Sequence, residues 1–399
     1  MQRRQFLKTS LVASTVLLGF ELNGSTLRKP LDDYKLSDYI FPEKNQLIAH
    51  SDRPPLLETP REVFQTAITP NKDFFVRWHS PKIKTHSFIA GYRINISGEV
   101  EQPTYISLKS LKEDFEAVEL SAVLQCGGNS RSAFVPTTSG IQWGNGAMGC
   151  ASWKGARLKD VLKKAGLTKD AHWINFNGSD KAAFYKAPRL TRELKIDEIE
   201  DDVIIAYEMN GEDLPFLNGY PVRLIIPGSY SDSWIKMLSE IRVTKEYVPL
   251  YYMDTAYTMP DNKMQSETPN HKEKKRIPIT TMNIKSIIGY PRSNTPVKID
   301  EKVTLKGVAF DGGSGIKAVL ISADNGKTWA RSTLKEELSK YAFREFSYNF
   351  QAKTKGKMTL MAKALNNLGQ EQPFTHKIAW NSGGYKYNGI DSVTFEVHG

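Results

Sequence analysis

One thiol in this chain stands apart by its neighbours. The run Leu124-Gln125-Cys126-Gly127-Gly128-Asn129-Ser130-Arg131 sets Cys126 among small residues, directly after a strand-like apolar stretch from Val118 to Leu124. Glycine flanks leave the sulfur open to a large ligand. Arg131 offers a planar positive fork of the kind that holds a thiolate or an oxyanion. A packing role would favour apolar flanks instead. The only other cysteine is Cys150. For an exported chain, counting alone makes a Cys126–Cys150 disulfide the default, in competition with the ligand reading of Cys126.

Export is read from the start of the chain. Arg3-Arg4-Gln5-Phe6-Leu7-Lys8 precedes an apolar stretch from Leu11 to Phe20, too short to cross a bilayer. Residues 1–25 look like a twin-arginine signal, whose pathway carries folded proteins and suits a cofactor inserted in the cytoplasm. The plain alternative is an ordinary secretory signal. The expected location is the periplasm. The formal net charge of +10 would suit nucleic acid, but export points instead to an anionic substrate or an acidic partner. At 399 residues and 40% hydrophobic content, two domains with sizeable cores are expected. No stretch after residue 20 is apolar enough to span a membrane. A Cys-x-x-Cys-His haem attachment is absent, so no haem is expected and electrons must leave through another protein.

Residues 26–72, rich in Pro, Asp and Lys, read as an extended arm with few regular elements. Strand-like material begins at residues 73–79 and continues through 92–98, which alternates apolar and polar. Residues 158–165 place apolar side chains three and four apart with Gly166 as a stop, which predicts a helix. Residues 203–208 and 222–226 predict buried strands. The charged, apolar-poor run from Pro269 to Arg276 reads as a solvated crossing, with the linker at 269–283. Beyond it, short strands recur at 303–308, 316–322, 327–331, 346–350 and 357–364, with Asp324-Asn325-Gly326 a hairpin signal. That pattern over 284–399 predicts an immunoglobulin-like β-sandwich, and an α+β chain as a whole.

Taken together these residues resemble the sulfite oxidase family of molybdopterin enzymes, in its bacterial periplasmic sulfite dehydrogenase form. Cys126-Gly-Gly-Asn-Ser-Arg131 is similar to the family's Cys-Ala-Gly-Asn-x-Arg segment, where the thiolate ligates molybdenum and the arginine lines the oxyanion pocket. Phe74-Phe75-Val76-Arg77-Trp78-His79 resembles the segment whose Arg and His contact the pterin or the metal site. Blocks at 142–147, 153–162, 206–211, 219–223 and 227–228 follow in the family's order. Trp234-Ile235-Lys236 falls where relatives hold the cofactor, and Thr255-Ala256-Tyr257 where they supply a pocket tyrosine. Residues 322–329 and 379–381 look like the family's C-terminal dimerisation domain. The resemblance implies a mixed α/β molybdopterin domain over 73–268 and a homodimer built by the sandwich. It implies a molybdenum-molybdopterin cofactor with Cys126 as metal ligand. Arg77, Trp78, His79, Asp180, Asn218, Arg223, Trp234, Ile235 and Lys236 would hold the cofactor. Arg131, Arg77, His79 and Tyr257 would act on the substrate. The implied reaction is oxidation of sulfite to sulfate, with electrons passed to a c-type cytochrome.

Three departures bear on substrate. Asn218 stands where animal relatives carry a pterin-contacting histidine, and Ser130 stands where another arginine is common. Near Trp380-Asn381 animal enzymes add a substrate arginine, whereas here Ser382-Gly383-Gly384 follows, with Lys386 the nearby cation. Each residue also has a plainer reading. Cys150 would be a small buried apolar group, His79 a satisfied histidine, Arg223 and Lys236 surface charges, Tyr257 aromatic core, and Trp329 and Trp380 sandwich core. Three alternatives stay open: a sulfoxide reductase, a sulfur-intermediate dehydrogenase subunit, and an exported disulfide-bonded binding protein.

Overall fold

The computed structural model describes residues 41–80, 91–180 and 186–399. The export signal and the first part of the arm lie outside them. In chain order the first half holds β1 (Ile48–Asp52), β2 (Pro55–Glu58), β3 (Val76–Arg77), β4 (Arg93–Gly98), β5 (Thr104–Ser107), β6 (Ala117–Gln125), β7 (Met148–Arg157), β8 (Trp173–Gly178), β9 (Thr191–Lys195), β10 (Ile204–Met209), β11 (Glu212–Asp213), β12 (Arg223–Ile225) and β13 (Leu238–Thr244). Two short helices interrupt them, α1 (Leu108–Glu113) and α2 (Leu158–Ala165). Then come β14 (Thr258–Pro260), β15 (Arg276–Pro278), β16 (Lys285–Tyr290), β17 (Val297–Lys298), β18 (Lys302–Phe310), β19 (Ile316–Ser322), β20 (Ala330–Arg331), β21 (Thr333–Leu334), β22 (Arg344–Gln351), β23 (Gly356–Asn366) and β24 (Asp391–His398). The mixed α/β expectation is corrected: the described chain is mostly sheet with few helices.

The helix predicted at 158–165 is α2, where Leu158, Val161, Leu162 and Ala165 form one buried stripe. Burial of each larger side chain contributes about 1.5–3 kcal/mol. Gly166, at φ 70°, closes it by donating to Leu162 and Lys163 carbonyls.

Two sheets dominate the first half. One runs β11-β10-β7-β6 with β12 on β10, the other β5-β4-β13-β8-β9. The pair β6 and β7 stays in antiparallel register from Ala117↔Ala156 to Gln125↔Met148. That ladder ends one residue before Cys126, whose N–H donates to Ala147 O at 2.9 Å. The end of a long, in-register strand therefore sets the thiol's position.

The arm is more regular than its composition predicts. β1, β2 and β3 form a three-stranded sheet, with Leu57 and Phe64 fully buried. Long-range pairing with Val76 and Arg77 organises it, which a local reading of Pro and Lys content cannot show.

In the second half, β16-β18-β22-β21 and β17-β24-β23-β19-β20 form two sheets that share one apolar cluster, including Ile288, Leu305, Phe346, Leu360 and Phe395. β24 alternates buried and exposed along its whole length. Asn325 and Gly326, at φ 59° and 83°, turn the chain between β19 and β20, which pair antiparallel. Trp329 and Trp380, expected in the core, are half-buried, and Trp380 Nε1 donates to Pro136 O at 2.8 Å.

The stretch read as a linker does more than cross. Residues 268–275 are mostly exposed, but β15 pairs with β14, and Ile279 and Met282 are buried. Glu267 anchors the turn. Burial alone would raise its carboxyl, but hydrogen bonds from Ser382, Glu273 N–H and Arg276 outweigh that and hold it down at about 2. A shared cluster joins the halves, with Phe64, Val123, Cys150 and Tyr257 packed against Ile287, Val308, Phe310 and Phe343.

Candidate active site

The β2–β3 pairing places Leu56 opposite Arg77, and Trp78 N–H donates to Pro55 O at 3.2 Å. The segment Arg77-Trp78-His79 is thereby laid against the end of β6. A cleft opens there, lined by Cys126, Arg77, His79, Asn218, Arg223, Asp232, Trp234, Lys236 and Tyr257 among others. Sequence positions from 75 to 257 thus meet around one thiol.

At the cavity's outer end three groups converge. Arg77 Nη2 donates to Tyr257 Oη at 3.2 Å, and His79 Nε2 lies 2.6 Å from the same oxygen. Since Arg77 fills the acceptor side of Tyr257, the hydroxyl's own proton can point to His79 or to an anion. Burial raises the Tyr257 hydroxyl well above its ordinary value, so it stays protonated. Burial, with Arg77 and Lys236 nearby, holds His79 well below its ordinary value, so it stays neutral.

At the inner end sit two buried cations. Arg223 donates to Asn218 O at 2.7 Å and Trp234 O at 3.1 Å, and its guanidinium lies 5.4 Å from the Trp153 ring centroid. Burial pushes it down to about 9. Lys236 Nζ donates to Arg77 O at 2.5 Å and lies 4.6 Å from the Trp78 ring centroid. Burial also drives this ammonium well down, opposed by Asp180 and reinforced by Arg223 and Arg77. Neither makes an ion pair among the described residues. Asp180 is thus a neighbour of Lys236 and does not line the cavity. Ile235 is core, its carbonyl accepting from Leu224 N–H at 2.8 Å.

Arg131 corrects an expectation. It does not line the cavity; Nε donates to Gly383 O at 3.0 Å and Nη1 to Ile141 O at 2.9 Å. Its guanidinium stacks 5.2 Å from the Tyr385 ring centroid. The glycine flanks also serve a different purpose: a Cβ on Gly128 would collide with the Arg131 guanidinium, and one on Gly127 with Ile279. They admit side chains from within the fold. Both cysteines are free and buried, so the disulfide default falls. Cys150 faces the apolar cluster between the halves, and burial pushes its thiol up to about 12. Lys386 sends its N–H to Gly127 O at 2.9 Å, but its side chain lines a separate pocket with Asn283 and Lys377.

Sequence reasoning missed Asp232, Lys44 and Tyr385. Asp232 lines the cavity 3.1 Å from Arg192, yet neither carboxylate oxygen meets hydrogen-bond geometry. Burial raises it to about 6. Lys44, from the arm, donates to Asn218 Oδ1 at 2.6 Å. Tyr385 stands 5.7 Å from Tyr257, ring to ring. Only a three-dimensional pairing signals them.

These residues fit a molybdenum-pterin group. The buried Arg223 guanidinium and Lys236 amine, neither in an ion pair among the described residues, would suit its phosphate. The unbonded Asp232 oxygens and Arg223 Nε offer an acceptor and a donor to a heterocycle. Cys126, whose thiolate is a soft ligand, would be the chain's contact with the metal.

Comparisons agree with this chemistry. Residues 79–252 match the oxidoreductase molybdopterin binding domain, and residues 276–393 the Mo-co oxidoreductase dimerisation domain. The chain is 32% identical over 367 residues to mitochondrial sulfite oxidase of Mus musculus, covering 87% of this chain and 65% of that enzyme's length. It is 28% identical over 363 residues to sulfite oxidase of Arabidopsis thaliana, covering 85% and 91%. The crystal structure of the sulfane dehydrogenase SoxCD from Paracoccus pantotrophus superimposes with a TM-score of 0.76 at 23% identity, covering 93% and 94%, a likeness of fold. The two successive domains and these relatives establish that the chain belongs to the sulfite oxidase family of molybdopterin oxidoreductases.

Proposed function

We propose that this enzyme oxidises sulfite to sulfate in the periplasm, as a homodimer with an immunoglobulin-like sandwich at its interface, and passes electrons to a c-type cytochrome. One observation carries the substrate reading: Arg77, His79 and Tyr257 converge where the Cys126 cavity meets a second, more open one. When bound, the molybdenum-pterin group supplies the two-electron redox step. Cys126 would hold the metal; Arg223, Lys236, Trp234 and Asn218 would hold the pterin.

The chain's own groups then act on the substrate. The Arg77 guanidinium neutralises an oxyanion in a partly desolvated site, where a charged hydrogen bond is worth more than in water. Tyr257, kept protonated by burial, donates to a substrate oxygen. His79, kept neutral, holds the tyrosine's orientation. Arg131 braces Tyr385 against Tyr257 from behind, so it supports the pocket without touching substrate. Sulfite and water give sulfate, two protons and two electrons, and an external acceptor takes the electrons.

The test is a steady-state assay of molybdenum-loaded protein with sulfite and an oxidised cytochrome c. Sulfite-dependent reduction is expected, with about one molybdenum per chain. Methionine sulfoxide reduction in place of sulfite oxidation would favour the reductase reading, and protein with no molybdenum would favour the binding-protein reading.

A further inference from the structure

Beyond Arg77, His79 and Tyr257 lies a second, wide-mouthed cavity of about 340 Å³, which those same three residues also line. Its other walls include Leu56, Trp78, Ile141, Tyr251, Tyr252 and Tyr385. Among the described residues lining it, Arg77 is the lone permanent cation, and none is a carboxylate. The walls are fixed: Leu56 and Trp78 are buried, Tyr252 stacks on Tyr257 at 5.8 Å, and Tyr385 Oη donates to Ala256 O at 2.9 Å. Tyr251, half exposed, marks the mouth.

This vestibule is mismatched to sulfite alone. A four-heavy-atom anion needs room on the order of 100 Å³, at about 30 Å³ per water-sized unit. The lining is mixed: beside its polar groups, Leu56, Ile141 and the tyrosine ring faces offer apolar surface that stabilises a carbon substituent and that sulfite cannot use. A pocket of this size with its one permanent cation at the Cys126 end suits a ligand with an anionic head and a ring or alkyl body.

We propose that the enzyme also oxidises organic sulfinates, with the sulfinate head at Arg77, His79 and Tyr257 and the carbon substituent in the aromatic vestibule. This rests on the sulfite reading of the same site. The balance is the same: the sulfinate sulfur uses its lone pair to form one new S–O bond to an oxygen supplied by water. A sulfonate results, two protons go to solvent, and two electrons go to a one-electron acceptor. The carbon–sulfur bond stays intact.

The test compares sulfite, methanesulfinate and benzenesulfinate on the molybdenum-loaded enzyme, with ferricyanide as acceptor and the sulfonate identified by mass spectrometry. Benzenesulfinate should be turned over with kcat/KM within about tenfold of sulfite and above methanesulfinate, since the ring fills the apolar walls. Ala256→Phe, which narrows the vestibule, should shift the benzenesulfinate-to-sulfite ratio at least about tenfold toward sulfite. Sulfite oxidation with neither turnover of, nor competitive inhibition by, benzenesulfinate overturns this inference and leaves the sulfite reading standing. Turnover whose ratio Ala256→Phe does not move overturns the placement of the ring. Oxidation of sulfinates without sulfite overturns the sulfite reading while supporting the vestibule. Loaded enzyme that oxidises neither overturns both.

Discussion

At the scale of single residues, two cysteines and two arginines divide the work differently from their sequence context. Cys126→Ser should abolish sulfite oxidation and most molybdenum binding, because a hydroxyl is a poor ligand for a soft centre. Cys150→Ser should leave activity within about twofold, because the thiol lines neither cavity at the site, and thiol titration of unfolded, cofactor-free protein should find both thiols. Arg77→Gln should lower kcat/KM by about 30- to 1,000-fold, roughly 2–4 kcal/mol for a buried charged contact. Arg131→Gln should instead lower stability, by about 3–6 kcal/mol if both hydrogen bonds from the charged group are lost, with the Michaelis constant for sulfite moving far less. If Arg131→Gln raises that constant as much as Arg77→Gln does, the guanidinium reaches the substrate after all. The family's order of blocks made Cys126, Arg77, His79, Asn218, Arg223, Trp234 and Lys236 legible as one site. Arg131 bonds two backbone carbonyls here, a contact its motif did not signal, because a motif states which residues are near and not which carbonyls take their donors.

At the scale of elements, legibility followed the range of the interactions. The helix at 158–165 and the strand at 316–322 could be read from local periodicity and a stop residue, since i, i+3, i+4 burial and Gly166 are written in adjacent positions. The arm could not, because β2 depends on β3 about twenty residues on and on Glu58, a buried carboxylate. Glu58 accepts from Gly144 N–H at 2.8 Å, Gly146 N–H at 2.9 Å and contacts His50 at 2.8 Å. It ties the arm to the loop that follows Arg131. Glu58→Ala should leave two buried backbone donors unsatisfied and cost about 2–4 kcal/mol. Urea unfolding measures this directly, and a loss under about 0.5 kcal/mol would show that the arm is not anchored there.

At the scale of the whole molecule, the two halves are not separable units, and the sequence pattern that marks a boundary near residue 284 conceals this. The cluster containing Val123, Cys150, Tyr257, Ile287 and Phe343 spans it, Arg61 from the arm grips Asp391 of β24 at 2.7 and 3.0 Å, and the loop bearing Tyr385 closes the vestibule. Lys285 is the most telling link. Although it begins β16, it is fully buried, and its ammonium donates to Ser130 Oγ at 2.5 Å, five residues from the end of β6. Burial lowers it to about 7, against partial support from Asp391. The sign of the pH effect follows. Above that value the native chain has lost this proton while the unfolded chain, with an ordinary lysine near 10.5, keeps it. The unfolded state therefore binds more protons between about 7 and 10.5, and stability attributable to this site rises with pH across that window, by up to about 1.4 kcal/mol per unit. Lys285→Met removes the linkage without opening a large cavity. The difference in unfolding free energy between wild type and this variant, measured in denaturant at pH 7, 8 and 9, should therefore grow in favour of the wild type. A difference that stays flat would mean that Lys285 keeps its proton at the junction, held as a charged group by Ser130 and the nearby carboxylates.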